Sequence, residues 1–238
     1  MRTPFYRWEE VEAIAGRLHR QLCALRGEPI ELPIDVDAVG EQLLGLSWLY
    51  EPIPEPRGTT IFAALHPEQR LIVLNERYVE TFGRNEGLER FTKAHELGHW
   101  VLHVAGVRGQ GSGARESEGR AQGGSGVRMG QAVGCRLSAV SEDRLDFPDS
   151  RQPTADSLSC PLTPDPWPLA ERRWQEKQAN WFAAALLMPP QPLRQAAAAV
   201  DVTSWRGRYE LREQCGVSIS ALNARLQQLG YPSVRDVG

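Results

Sequence analysis

Ten of the 22 glycines in this 238-residue chain fall within the 31 residues from Val104 to Gly134, and a proline-rich stretch follows from Pro148 to Pro168. Such a segment has little apolar surface to offset the entropy lost on ordering, so the sequence predicts a flexible insertion there rather than a piece of core. The chain is therefore read in three parts. Residues 1–104 and 169–238 make one domain, and residues 105–168 interrupt it. About 175 residues remain for the core, enough to bury apolar surface without covalent staples. The cysteines, Cys23, Cys135, Cys160 and Cys215, form no CxxC pair, so neither a disulfide framework nor a cysteine zinc site is indicated.

Charge excludes some classes of partner. With 27 Lys and Arg against 30 Asp and Glu, the formal charge is -3, without the basic excess of a whole-chain nucleic-acid or anionic-membrane binder. No apolar run approaches the length of a spanning helix, and the first ten residues, MRTPFYRWEE, lack the apolar segment of a secretory signal. The expected location is the cytoplasm, with no membrane contact.

Periodicity gives the elements. Residues 8–25 place Val11, Ile14, Ala15, Leu18, Leu22 and Leu25 at spacings of three and four, an amphipathic helix ended by Gly27. A short helix is expected over 36–44, with Asp35 or Asp37 as its N-cap. Three β-like runs, 46–50, 59–65 and 70–75, predict a small antiparallel sheet. The helical period returns from Leu88, and again over 174–188 until Pro189-Pro190 stops it. A closing helical pair spans 204–215 and 218–229, with Ser218 as a cap and Gly230 as a stop. The fold class expected is α+β, mainly helical with a small sheet.

The run His95-Glu96-Leu97-Gly98-His99 is an H-E-x-x-H motif inside a helical pattern. Positions i and i+4 lie one above the other on a helix face, so His95 and His99 can aim two imidazole nitrogens at one cation. Glu96 is turned about 100° from His95, which sets it beside such an ion rather than on it, as a general base for water. By composition, a chance H-E-x-x-H is expected in about one chain in a hundred of this size.

Two histidines leave a catalytic zinc site one protein ligand short. His103 lies about 12 Å along the helix axis from His95, too far to share one ion with both. Cys135 and Cys160 would sit on poorly held loops. Glu176 is the better candidate, because it stands on a helix with Asn180 one turn away on the same face. The Asn180 carbonyl oxygen can then accept the second N–H of a ligand histidine.

FTKAHELGHWVLH (Phe91 to His103) followed by EKQANWFAAALLMP (Glu176 to Pro189) resembles the ImmA/IrrE family of zinc metallo-endopeptidases. The likeness extends more loosely to PIDVDAV (33–39), RLIVLNE (70–76) and GVSISALNARLQQLGY (216–231). It implies a zincin-like domain in which His95, His99 and Glu176 ligate one zinc ion, Glu96 is the general base and Asn180 orients a ligand histidine. The two-histidine, one-carboxylate set favours zinc without ruling against manganese or iron(II). The resemblance further implies a site-specific protease acting on a helix-turn-helix repressor, in control of transcription during a stress or mobile-element response. The departure from the family pattern is the length between the helices: His99 and Glu176 are 77 positions apart.

Proteases commonly bind an extended substrate along a sheet edge, which makes the 70–75 strand a candidate platform. The competing reading is a DNA-binding or regulatory scaffold that uses the C-terminal helical pair, its metal site structural. Five Arg against four acidic residues from Asp201 to Gly238, with only Arg225 on the second helix of the pair, make a poor phosphate footprint, so direct DNA binding is not expected.

Overall fold

The computed structural model describes residues 5–105 and 169–234. The insertion read over 105–168 thus lies, from residue 106 onward, outside the described residues, as do Cys135 and Cys160.

The first helix, α1 (Trp8–Arg26), buries Val11, Ala15, Leu18 and Leu22 on one stripe and ends at Gly27, whose left-handed φ of 72° lets its N–H reach the Cys23 carbonyl. At the start, the Glu10 carboxylate accepts the Arg7 N–H at 2.7 Å. The next helical stretch, α2 (Val36–Ala38), runs on into a π turn, Val39–Leu43. Of its two candidate caps the working one is Asp35, which accepts the Ala38 N–H at 3.0 Å.

Strands β1 (Ser47–Glu51), β2 (Ala63–His66) and β3 (Leu71–Asn75) form one sheet in the order β1-β3-β2. The expectation of an antiparallel sheet needs correction, because β1 pairs with β3 in parallel, Ser47 opposite Leu71, while β2 pairs with β3 antiparallel, Ala63 opposite Leu74. The strands do alternate in direction. What differs is adjacency: β3 lies between the other two. It is the strand whose Ile72, Val73 and Leu74 are all buried, so the central position suits it, whereas β1 is mostly exposed. The long 52–62 connection that this order requires is pinned by fully buried Asn75. Its Oδ1 accepts from Ile53 N and Arg77 N at 3.2 Å each, and its Nδ2 donates to the Ile61 carbonyl at 2.9 Å.

Short helix α3 (Val79–Arg84), which the periodicity does not anticipate, leads into α4 (Glu86–His99), capped by Asn85 Oδ1 on the Leu88 N–H at 3.2 Å. A π turn, Trp100–Ala105, continues α4. Beyond the undescribed stretch come α5 (Leu169–Leu187), α6 (Pro190–Ala198), α7 (Trp205–Cys215) and α8 (Ile219–Gln228). Pro189-Pro190 stops one helix as expected. Pro190 also opens the next at its first position, where a missing N–H costs nothing. Ser204 and Ser218 cap α7 and α8, and Gly216 turns between them at φ 61°.

One apolar cluster takes Val11, Leu18, Leu74, Phe91 and Leu97 from one side of the insertion and Phe182, Leu186, Leu193, Leu211 and Leu222 from the other. The architecture is α+β and mainly helical. Among the described residues, no helix is long and apolar enough to cross a membrane.

Candidate metal centre

Helix α4 is held on both flanks. Phe91, Ala94 and Leu97 are buried in the core, and Lys93 bridges Asp37 and Glu89 at 2.9 Å each. This fixes the face that carries the motif: His95 and Glu96 are wholly buried and His99 is 8% exposed. Helix α5 lies alongside, with buried Ala179, Phe182 and Ala183 toward the core, and it brings Glu176 and Asn180 to the same place.

His95 Nδ1 stands 2.8 Å from Asn180 Oδ1. An amide oxygen only accepts, so Nδ1–H donates and the Nε2 lone pair is left facing the cluster. That Nε2 is 3.0 Å from His99 Nε2 and 3.3 Å from Glu176 Oε2, and His99 Nε2 is 3.6 Å from Glu176 Oε1. Ligand atoms held tetrahedrally about 2.1 Å from one ion stand about 3.4 Å apart, a value these three separations bracket. Among the described residues, His95, His99 and Glu176 form a group whose donor atoms all lie within 4.8 Å of one another. The donor set fits one divalent cation.

The electrostatics agree with the geometry. Burial alone would raise the Glu176 carboxyl and lower the His99 imidazole, but each is overridden by the other, so the carboxyl is held well below the usual range and His99 is raised. Glu96 adds to the rise at His99. The cluster thus favours positive charge at its centre.

His103 takes no place in the cluster. The π turn brings its ring within 5.5 Å of the His99 ring, and its Nε2 lies 3.3 Å from the Gln175 carbonyl oxygen. Burial, helped by the neighbouring His99, pushes its imidazole down to about 3, so it is neutral at ordinary pH. This contact is not readable from helical spacing, because the α-period does not hold through residues 100–105.

Two of the basic residues of the C-terminal pair, Arg208 on α7 and Arg225 on α8, are turned inward. Arg225 is fully buried, donating from Nε to the Met188 carbonyl at 3.0 Å and paired with Glu12. Arg208, 3% exposed, donates from Nε to the Val202 carbonyl at 2.7 Å and also reaches Asn223 and Pro232. Neither is presented to a phosphate backbone.

Residues 168–227 match the family described as the IrrE N-terminal-like domain, Peptidase M78. Over that quarter of the chain the sequence is similar to the Peptidase M78 family. The match takes in Glu176 and Asn180 on α5 and runs through most of α8, while the His95–His99 helix lies outside it and joins through space. A search of curated proteins found no match. The likeness is to a metallopeptidase domain.

Proposed function

We propose that this protein is a zinc-dependent endopeptidase of the cytoplasm that cuts a helix-turn-helix transcriptional repressor, and so acts in a stress or mobile-element response. The observation that carries the reading is the convergence of His95, His99 and Glu176 from two helices into one group of donor atoms. In this reading those three residues hold the ion and Asn180 fixes the tautomer of His95. Zinc, when bound, supplies a Lewis acid that polarises the scissile carbonyl and makes water a stronger acid.

The remaining work falls to the chain itself. Glu96 accepts a proton from the attacking water on its carboxylate and passes it to the nitrogen of the leaving amine. Its complete burial keeps bulk water from competing for that proton. An extended substrate needs an outer strand to pair with, and β3 is flanked on both sides, which withdraws it as the platform. Strand β2 is an outer strand packed against α4, so pairing there would carry a peptide past the cluster.

The test uses a helix-turn-helix repressor encoded beside the gene, incubated with wild type and with Glu96→Gln. Cleavage by wild type and its loss in a variant that still holds metal is the expected pair of results. Equal cleavage by both would remove Glu96 from the mechanism, and undiminished zinc in Glu176→Ala would remove Glu176 from the ligands.

A further inference from the structure

Helices α4 and α5 meet closely at Gly98. A Cβ on that residue would stand 3.0 Å from Ala179 Cα, 3.1 Å from the Ala179 carbonyl oxygen and 3.2 Å from Phe182 Cβ. Unstrained contacts between carbon atoms lie nearer 3.5–4.0 Å, and an added methyl would have to push its neighbours back by a few tenths of an ångström. Two of the three contacts are with backbone, and Ala179 and Phe182 are both fully buried, so yielding means moving one helix against the other.

The place of this contact in the two helices is what gives it meaning. Gly98 immediately precedes His99 and follows His95 by three residues, while Ala179 lies between Glu176 and Asn180. The near approach therefore falls inside the bracket of residues that build the cluster. One turn away is a second tie. A carbonyl oxygen only accepts, so the 3.3 Å contact of His103 with Gln175 is an Nε2–H donated to the residue just before Glu176.

We infer that Gly98 and His103 are positioning residues for the metal centre: the absent side chain at 98 sets how near α5 lies to α4, and the His103 hydrogen bond holds the Glu176 turn at that distance. The inference rests on the reading of His95, His99 and Glu176 as ligands of one ion. Ligand distances are held to about 0.2 Å in a working site. A shift of a few tenths of an ångström between the helices would change every separation that crosses from α4 to α5, the His95–Asn180 bond included. A glycine kept only for packing would affect stability and leave metal affinity alone.

The experiment compares the full chain with Gly98→Ala, His103→Ala and His103→Gln. Zinc affinity is read by competition with a chromophoric chelator, the visible absorption of the Co2+-loaded protein reports ligand geometry, and circular dichroism of the metal-free proteins reports the fold. Gly98→Ala is expected to fold, to lose about tenfold or more in zinc affinity and to alter the Co2+ bands. His103→Ala adds no atom and is expected to lose affinity in the same direction, with His103→Gln, which keeps an N–H donor, recovering most of it. Should Gly98→Ala fail to fold, the His103 pair decides. Wild-type zinc affinity and Co2+ bands in a folded Gly98→Ala, or failing that in His103→Ala, overturn the inference. Wild type that takes up neither ion overturns the metal reading itself, a result distinct from variants that bind as well as wild type.

Discussion

The 2.8 Å bond from His95 Nδ1 to Asn180 Oδ1 ties the helix that carries two imidazoles to the helix that carries the carboxylate, across 85 positions of sequence. It decides which ring nitrogen bears the proton and which is left facing Glu176 and His99. Asn180→Ala is therefore expected to weaken zinc binding by about 10- to 100-fold. Asn180→Asp, whose charged acceptor makes the ring more basic, should bind at least as tightly as wild type. Competition titration against a chelator reads both, and equal affinity in the alanine variant would show that other contacts hold the ring.

Removing the metal should cost stability in proportion to affinity. An ion that binds the assembled cluster and not the unfolded chain adds about 2.7 kcal/mol at a hundredfold excess over Kd. Chelation of the zinc-loaded protein is expected to lower Tm, while Glu176→Ala should melt at nearly the same temperature with or without chelator. Thermal melts of the two proteins side by side check this.

Acid should destabilise the fold through a histidine remote from the cluster. His19 is 7% exposed and donates from Nε2 to the Leu186 carbonyl at 2.8 Å. Burial lowers its pKa from the ordinary 6.5, the charges of Arg20 and Arg225 adding to the effect. The unfolded chain then takes up a proton that the folded chain refuses, so stability present above about pH 6.5 is lost as pH falls toward the folded pKa. Denaturant unfolding at pH 7.5 and 5.5 should show a smaller loss for His19→Gln than for wild type. Equal losses would rule His19 out as the source.

Arg225 is expected to matter for the fold and not for chemistry. Its guanidinium sits 5.1 Å from the Trp8 ring centroid, pairs with Glu12 and caps the Met188 carbonyl, so it joins α1, the end of α5 and α8. Arg225→Ala strands a carbonyl and a half-exposed carboxylate and should cost about 2–4 kcal/mol. Urea unfolding measures the cost. Zinc affinity of the folded variant, unchanged, would separate this role from that of Asn180.

What could be read beforehand follows the range of the forces involved. Gly27 and Ser218 announce helix ends, and Asp35 is one of two candidates for another, because caps and left-handed turns are settled within four residues. The histidine pair is a local pattern too, and the Glu176–Asn180 repeat shows which face of α5 to watch. The central place of β3 was not legible, since alternation gives strand direction and not neighbours. Nor was the tight fit at Gly98, which exists only once Ala179 has arrived from 81 positions further on. The π turn after His99 hid the His103 contact by changing the register on which helical reasoning depends.

The group of donors draws two members from one side of the undescribed stretch and one from the other. Among the described residues, neither half holds the whole group. The number of ions held per molecule, measured on any preparation, is therefore also a count of the molecules in which the two halves have found each other, and a chain that has lost this union will be silent in a metal assay well before its helices are gone.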